Sequence, residues 1–442
     1  MMRRQEAATA GDILTGIVQR QRQGRPQALY AACTASIFAM RAVLGQAVAD
    51  RSPALLEATA AQVNLEGGYS GLTPRGFRGQ VQRLAATAGI APGQLILGGD
   101  HIGPHPWRQA GAGTAMDKAA QLAAACARAG YQKLHLDTAA PCRGDPLAAD
   151  GTLELDIVSH RAARLCQAAE QGAATEGFPP PWYVIGSDVP PPGGQLTGAA
   201  TPPSDPVKLG ETIAAHRRAF QKAGVAHAWQ RVFAVVVDTG ADFSPRSVQP
   251  YDTRRVQPLV ARIRQEGLVF EAHSTDFQAP QALASMVADR FGILKVGPAL
   301  TYAMRAGLFA LAAIETDWLG DCEGVRVSRL PEVMDRLMMD DPTHWKAYYP
   351  GTAAEQADLR RHAYADRIRY YWFHPRARAA VGRLMRNLQR HPPPSALIER
   401  HLPEAADRIR DGCLSRDPDS IVLDHIGRVV QVYARACRLS SR

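Results

Sequence analysis

Residues 94–138 read QLILGGDHIGPHPWRQAGAGTAMDKAAQLAAACARAGYQKLHLDT. This stretch contains a short apolar run, a long Ala-rich segment and a second short apolar run. The apolar runs at 94–100 and 133–138 are typical of buried strands. The segment at 115–130 predicts a helix, because it has an acid near its start and a glycine at its end. Two strands joined by one helix form a parallel βαβ unit.

The same pattern recurs along the chain. Further apolar runs lie at residues 28–35, 54–60, 182–188, 232–238, 268–274 and 292–297, with helical segments such as 206–224 between them. Eight such units in roughly 300 residues predict an α/β fold, a (β/α)8 TIM barrel. An open doubly wound sheet is the alternative, but no G-x-G-x-x-G follows the first run.

The sequence changes character after about residue 318, where helical segments are broken by prolines. We therefore predict a barrel over residues 1–319 and a C-terminal helical appendage over residues 320–442, packed on the barrel. A chain of 442 residues is longer than a single core normally supports.

The composition argues against several classes of protein. The net charge of +9 comes without a basic run interleaved with aromatics, so nucleic acid is not expected as a partner. An Arg-rich solvated surface is the simpler explanation, although a basic cleft would suit sugar phosphates. The seven cysteines show no CxxC spacing, which argues against a zinc knuckle or a disulfide framework. No signal or membrane segment is evident, and we expect a cytoplasmic protein.

Polar residues collect at one end of the predicted strands. In a barrel these carboxyl ends converge on one face, which is where active sites lie. The residues are Glu57, Asn64, Asp100, His101, Asp137, Asp188, Asp238, Glu271, His273, Asp276 and Lys295.

A divalent metal site is one prediction from this set. His101 and His273 end the third and seventh strands, and Glu271 shares a strand face with His273 because side chains alternate. Two imidazoles and a carboxylate could bind Zn²⁺ or another divalent cation and leave a position for substrate. The alternative is that each histidine is a hydrogen-bonded residue of the barrel rim.

Proton transfer and phosphate binding are two further predictions. Asp100 and Asp137, with Glu57, could bind sugar hydroxyls or move protons beside a carbonyl, although aspartates at strand ends also cap turns. Lys295 and Gly297 precede a helix whose free N–H groups could bind phosphate, unless this is a plain turn. Residues 188–194, DVPPPGG, could be a lid or an ordinary connection.

Four other histidines are not predicted to belong to the site. His135 is expected to alternate inward with Asp137 or to lie in the core, and His105, His160 and His216 are assigned to helices or loops. No serine stands in a G-x-S-x-G elbow, so a Ser-His-Asp triad is not indicated.

Seven ordered motifs carry a family resemblance that spans most of the chain. They are LEATAAQVNLEGGYSGLTP, LGGDHIGPHPW, KLHLDT, YVIGSDVPPPGG, FEAHSTDFQAP, ILKVGPALTYAMRAGLFALAAIE and ADRIRYYW. Together they resemble the non-catalytic, Z-type subunit of class II D-tagatose-1,6-bisphosphate aldolase, formerly labelled tagatose-6-phosphate kinase. Arg367, in the last motif, is expected at the barrel mouth.

The resemblance implies an accessory role in galactitol and amino-sugar catabolism. Such subunits support the activity and stability of a Y-type catalytic subunit that holds the zinc. Asp100 and His101 resemble the Asp-His pair of the class II aldolases. His273 resembles their metal ligand on the seventh strand. Their ligand on the sixth strand is a histidine, whereas this chain has Asp238.

Two functions follow as hypotheses, and whether the chain is itself an enzyme is left open. The first is an accessory subunit that binds a class II aldolase. The second is a metal-dependent 4-epimerase or aldolase-like enzyme acting on a ketose or its phosphate. A kinase is the weakest reading, since no phosphate-binding loop is present and no nucleotide is expected. A ketose phosphate is the expected ligand, no membrane partner is expected, and a homo-oligomer is left open.

Overall fold

The computed structural model describes residues 8–186 and 201–439, and eight parallel strands close into a barrel within them. Each predicted strand corresponds to one barrel strand, which confirms the predicted fold. The barrel strands are β1 Leu29–Cys33, β2 Ala54–Thr59, β3 Leu95–Ile102, β4 Lys133–Leu136, β5 Trp182–Ile185, β6 Val232–Val236, β9 Val269–Ala272 and β10 Phe291–Val296. A short hairpin, β7 Asp242–Phe243 with β8 Val248–Gln249, stands apart from the barrel.

One helix follows each barrel strand. These helices are α2 Ile37–Asp50, α3 Pro74–Ala88, α4 Ala112–Arg128, α5 Leu155–Glu176, α6 Pro206–Lys222, α7 Thr253–Ile263, α8 Pro280–Ala288 and α9 Pro298–Leu319. An additional helix, α1 Ala10–Arg22, precedes β1. No helix among the described residues is long and apolar enough to cross a membrane.

The amino end of the barrel is apolar and closed by α1. Leu14 and Ile17 of α1 pack against the inward-facing residues near the strand starts. Those residues are Leu29, Leu55, Ile96, Val184, Val269 and Ile293. Their burial leaves the opposite end of the barrel as the face where polar side chains can collect.

Polar side chains fill the barrel above this apolar layer. Because successive side chains alternate in a strand, the next inward positions are two residues further on. On β2, β4, β9 and β10 they are Glu57, Lys133, Glu271 and Lys295, all buried. Gly98 stands opposite both Glu57 and Lys133 in the register, and its missing side chain leaves room for the carboxylate.

The C-terminal helices share the barrel's hydrophobic core. They are α10 Leu330–Asp340, α11 Ala353–His362, α12 Pro375–Arg390, α13 Ser395–His401, α14 Pro403–Arg410 and α15 Pro418–Ala436. Val430 of α15 and Leu308 of α9 belong to one buried cluster. Asp366 accepts hydrogen bonds from Thr301 at 2.6 Å and from Arg305 at 2.7 Å, which fixes a 3-10 helix, Arg367–Tyr371, against α9.

Candidate metal centre at the barrel mouth

A bulge in β3 turns two consecutive side chains toward the barrel mouth. Neighbouring residues of a regular strand point to opposite faces, but His101 has a φ of 47° and the pairing register with β4 shifts between Gly99 and Ile102. A positive φ is unusual for a residue with a Cβ. The bulge explains how Asp100 and His101 both reach the site.

Three imidazoles meet at the mouth. The Nε2 atom of His101 lies 3.2 Å from Nδ1 of His273, and the two rings are nearly perpendicular at 84°. The ring of His135 stands 5.2 Å from that of His101 and 5.0 Å from that of His273. His135 comes from β4, so three different strands contribute one ring each.

Each imidazole has a hydrogen-bond acceptor on the side away from the centre. His101 Nδ1 lies 2.7 Å from an Asp137 oxygen, His273 Nε2 lies 3.0 Å from Glu271 Oε1, and His135 Nε2 lies 3.1 Å from the Gly186 carbonyl. Ionised carboxylates only accept, so the contacts of His101 and His273 place their ring N–H groups on the outer side. His135 has an acceptor on both sides, because its Nδ1 also lies 3.1 Å from Asp100 Oδ1, and that nitrogen lies 3.4 Å from the main-chain N–H of His101.

The inner ring nitrogens of His101 and His273 face each other at 3.2 Å, and Nδ1 of His135 lies beside Asp100. Outer partners that orient a histidine in this way are typical of metal sites.

Asp100 adds a carboxylate to the three nitrogens. Its Oδ1 lies 3.1 Å from Nδ1 of His135 and 2.8 Å from the Lys295 ammonium. One donor atom from each of Asp100, His101, His135 and His273 lies within 4.8 Å of the others. Three imidazole nitrogens and one carboxylate oxygen form a donor set that suits Zn²⁺. The three imidazoles therefore fit a divalent cation, and Asp100 is near enough to be a fourth ligand or a base beside it.

The imidazoles differ in their affinity for protons. Burial lowers the pKa of His273 to about 3, although Glu271 opposes this, so its ring is neutral. Burial also opposes charge on His101, but Asp100 and Asp137 outweigh it and raise the pKa of His101. A lone pair of His273 therefore faces His101 across 3.2 Å, an arrangement that needs a proton or a cation between the two nitrogens.

A buried ionic network supports the cluster from below. The Lys133 ammonium lies 2.7 Å from Glu57 and 2.6 Å from Glu271, and the Lys295 ammonium bonds Glu57 as well as Asp100. Burial alone would lower the pKa of Lys295, but these carboxylates raise it well above its ordinary value. Both lysines act as counter-ions to the carboxylates.

The charges of the site are not balanced by the lysines alone. Counted in ionised form, the carboxylates of Glu57, Asp100, Asp137 and Glu271 exceed the two ammonium groups by two negative charges. Buried charge of one sign is unfavourable without a partner. A proton on His101, which its raised pKa favours, offsets one of these charges, and a divalent cation among the three imidazoles would neutralise the excess.

Several predicted site residues have a structural role. Glu271, expected as a ligand, accepts from His273 and pairs with Lys133, so it orients the imidazole from behind. Asn64 accepts from the N–H groups of Glu66 and Gly68 and shapes its own loop. Asp238, expected at the barrel mouth, accepts from the Gly240 N–H in a turn.

The predicted phosphate turn has its donors occupied. Asp276 accepts from the N–H groups of Gly297 at 3.1 Å and Ala299 at 2.7 Å, and so caps α9. Lys295 points into the ionic network instead of toward this turn. The structure thus assigns this turn to helix capping in place of phosphate binding.

Arg367 and Asp188 are the remaining predicted residues. Arg367 donates to the His344 carbonyl at 2.8 Å and stacks on Tyr348, within the C-terminal region. Asp188 and the proline-rich segment 188–194 lie outside the described residues.

His135 is the ligand candidate that sequence reasoning missed. In KLHLDT it reads as an inward-facing core residue, and it is completely buried. The available signal was its position two residues before Asp137, on the strand face that points into the barrel. It supplies the third nitrogen that the resemblance would place on β6, where Asp238 stands.

Comparison with known proteins identifies related chains. A model of the family described as D-tagatose-1,6-bisphosphate aldolase subunit GatZ/KbaZ-like matches residues 14–438. The crystal structure of a probable tagatose 6-phosphate kinase from Sinorhizobium meliloti 1021 is 39% identical, and the match covers 93% of this chain and 100% of that one with a TM-score of 0.83. These matches confirm the resemblance that the motifs indicate.

More distant structures also match. A fructose-bisphosphate aldolase from Campylobacter jejuni is 13% identical over 87% of this chain and 94% of that one, with a TM-score of 0.42. The YdjI aldolase from Escherichia coli K12 is 10% identical over 84% and 99%, with a TM-score of 0.39. Structural similarity at this level gives no information about the residues of the site.

Proposed function

Because the chain belongs to the D-tagatose-1,6-bisphosphate aldolase subunit GatZ/KbaZ-like family, we propose that it holds a divalent cation and acts at the carbonyl of a ketose or ketose phosphate. The observation that carries this proposal is the convergence of three imidazoles and the Asp100 carboxylate within 4.8 Å, with the outer ring nitrogens of His101 and His273 bonded to Asp137 and Glu271. The excess negative charge around them supports the same conclusion.

The proposal gives each side chain a role. His101, His135 and His273 bind the cation, while Asp137 and Glu271 hold two of these rings in the required tautomer. When bound, the cation supplies Lewis-acid polarisation of a substrate oxygen.

Asp100 is the residue that we propose to move a proton. Burial would raise the pKa of Asp100, but His101 and Lys295 outweigh it and hold the pKa well below its ordinary value, so Asp100 is ionised and can accept a proton. It would take the proton of the hydroxyl on the carbon β to the substrate carbonyl. The C–C bond electrons then pass toward the carbonyl, giving an aldehyde and an enediolate. Re-addition at the other face, with return of the proton, would be a C4 epimerisation.

Metal binding tests this proposal before any substrate is known. The purified chain, stripped and then titrated with Zn²⁺ or Mn²⁺, should bind one ion per chain, and His135→Ala should abolish or strongly weaken binding. His105→Ala is the matched control, because His105 lies on the loop after β3 outside the converging group. Equal binding by wild type and His135→Ala, or no binding by either, would overturn the proposal.

Activity is then measured on a panel of ketohexoses, ketohexose monophosphates and bisphosphates. We expect metal-dependent conversion of at least one of them, detected as released aldehyde or as the C4 epimer. His273→Ala should eliminate it. A chain that binds metal but converts none of them would contradict the catalytic part of the proposal.

The accessory role is a second candidate, since the family is described as aldolase subunits. In this case the chain would bind a Y-type catalytic subunit of galactitol or amino-sugar catabolism. Mixing the two purified chains should prolong the partner's aldolase activity. If His273→Ala prolongs it as well as wild type, the role is independent of the site, and absence of co-purification or prolongation would exclude it.

A further inference from the structure

A cationic and hydroxyl-rich cluster lies beside the mouth of the barrel. It consists of Tyr69, from the loop after β2, and of Arg369 and Tyr370, from the 3-10 helix of the C-terminal region. The rings of Tyr69 and Tyr370 meet at 4.7 Å and 70°. Arg369 Nη2 donates to the Tyr370 hydroxyl at 3.1 Å, and all three side chains are half-buried.

A short chain of contacts joins this cluster to the metal centre. The main-chain N–H of Tyr69 donates to the Ala61 carbonyl at 3.1 Å, and Oε1 of the adjacent Gln62 lies 3.9 Å from the Cys33 thiol. That thiol lies 3.3 Å from Asp100 Oδ2. The cluster is thus a few side chains away from the proposed reacting carboxylate, along the rim of the same mouth.

Arg369 lacks a carboxylate partner in the parts of the chain that the structure describes, where no acidic oxygen lies within 4.0 Å of its guanidinium. Its Nη1 donates to the main-chain carbonyls of Ala365 and Asp366, which fixes the side chain without neutralising it. The nearby acid Asp276 already accepts two N–H groups at the start of α9.

The electrostatic potential around the Tyr370 hydroxyl is positive. Burial would raise the pKa of the Tyr370 hydroxyl, but Arg369 and Arg367 outweigh it and the pKa is lowered. Fixed positive charge with hydroxyl donors in a half-buried position favours an anion.

We propose that Arg369, with the hydroxyls of Tyr69 and Tyr370, binds a tetrahedral oxyanion, the phosphate ester of a substrate whose carbonyl lies at the metal centre. This inference rests on the proposed function and narrows its substrate class to phosphorylated ketoses. The C-terminal region thereby contributes a binding residue to the barrel site. The cluster also takes the place of the phosphate turn predicted at Lys295 and Gly297.

Phosphate binding by calorimetry tests the inference without any turnover. Inorganic phosphate and a ketose phosphate are titrated into the whole chain, with and without Zn²⁺. Arg369→Met should weaken binding of both about 10- to 100-fold, because charge-assisted hydrogen bonds are lost. Arg20→Met is the charge-matched control, an exposed residue on α1 at the closed end of the barrel, and should bind as wild type does.

Two tyrosine-to-phenylalanine substitutions distinguish the loss of phosphate contacts from a loosening of the 3-10 helix. Because Arg369 also bonds the main chain of its own helix, Arg369→Met could loosen that helix, whereas Tyr69→Phe and Tyr370→Phe remove one oxygen each. Each should weaken phosphate binding about threefold or more while leaving Zn²⁺ binding unchanged. With a phosphorylated ketose, Arg369→Met should raise KM far more than it lowers kcat.

The outcomes separate this inference from the proposed function. Wild-type phosphate affinity in Arg369→Met and in both tyrosine variants would overturn the phosphate site, even if Zn²⁺ binds. No phosphate binding by the wild type would do the same. Phosphate binding that depends on Arg369 in a chain that binds no metal would instead retain the anion site and overturn the proposed function.

Discussion

Gly98 and Glu57 face each other across β2 and β3 so closely that a Cβ at Gly98 would lie 2.5 Å from Glu57 Oε1. Glu57 cannot move aside easily, because Lys133 and Lys295 both bond its carboxylate. We therefore expect Gly98→Ala to lower the free energy of unfolding by about 3 kcal/mol, the upper part of the range for overpacked cores. Urea denaturation measures it.

Gly113 provides the control for this substitution. It lies in α4, where a Cβ would meet no atom within 4 Å. Gly113→Ala should be neutral or stabilise the chain by up to about 1 kcal/mol, because alanine favours helix more than glycine does. Similar losses in both variants would show that the fit between Gly98 and Glu57 is unimportant.

Lys133 holds two buried carboxylates together, and its own side chain has no exposure. Lys133→Met should destabilise the chain by about 3–5 kcal/mol, since Glu57 and Glu271 would stay buried without this partner. Adding Glu57→Gln to Lys133→Met should recover part of the loss. Thermal or chemical unfolding of the single and double variants gives both values.

Lys118 forms the corresponding ion pair at the surface, with Glu66. Lys118→Met should change the free energy of unfolding by no more than about 1 kcal/mol, because solvent screens exposed pairs. An equal effect of Lys118→Met and Lys133→Met would contradict a structural role for the buried network.

Asp137 determines which nitrogen of His101 faces the metal centre, through the contact at 2.7 Å. Asp137→Asn should reduce Zn²⁺ affinity about 10- to 100-fold, the usual effect of losing an outer partner of a ligand. Asp156→Asn, at an exposed position in the first turn of α5, is the control with the same charge change. Unchanged affinity in Asp137→Asn would mean that Asp137 does not orient the ligand.

The sequence was sufficient for the barrel because each strand is short, apolar and followed by a helix with recognisable ends. The sequence also predicted that Asp100, His101 and His273 lie on one face of the barrel, because parallel strands align their carboxyl ends. These inferences depend on local patterns, which a single sequence displays.

The remaining features depend on contacts between distant segments. The bulge that turns His101 beside Asp100 is defined by pairing with β4, and a lysine and histidine in a buried strand resemble core residues until the opposite strands are known. The cap on α9 comes from Asp276, on another loop. Tyr370, to which Arg369 donates, meets Tyr69 only through tertiary packing, so no spacing in the sequence indicates that cluster.

His216 gives a pH prediction at a distance from the mouth. It is completely buried in α6, where Nδ1 bonds the Thr212 carbonyl at 2.8 Å and Nε2 has no partner among the described residues. Burial lowers the pKa of His216 to about 4 in the folded chain, against about 6.5 when unfolded. Between these values the unfolded state binds the extra proton, so acidification destabilises the fold.

Stability should therefore fall as pH drops below about 6.5, with about 2 kcal/mol of the loss between pH 7 and pH 5 due to this residue. His216→Leu removes the proton-binding group, so its unfolding free energy should change less over that interval. His160→Leu, at an exposed position on α5, should retain the full dependence of the wild type. Parallel urea curves at pH 7, 6 and 5 compare the three chains, and an identical slope in His216→Leu and wild type would assign the acid sensitivity to other groups.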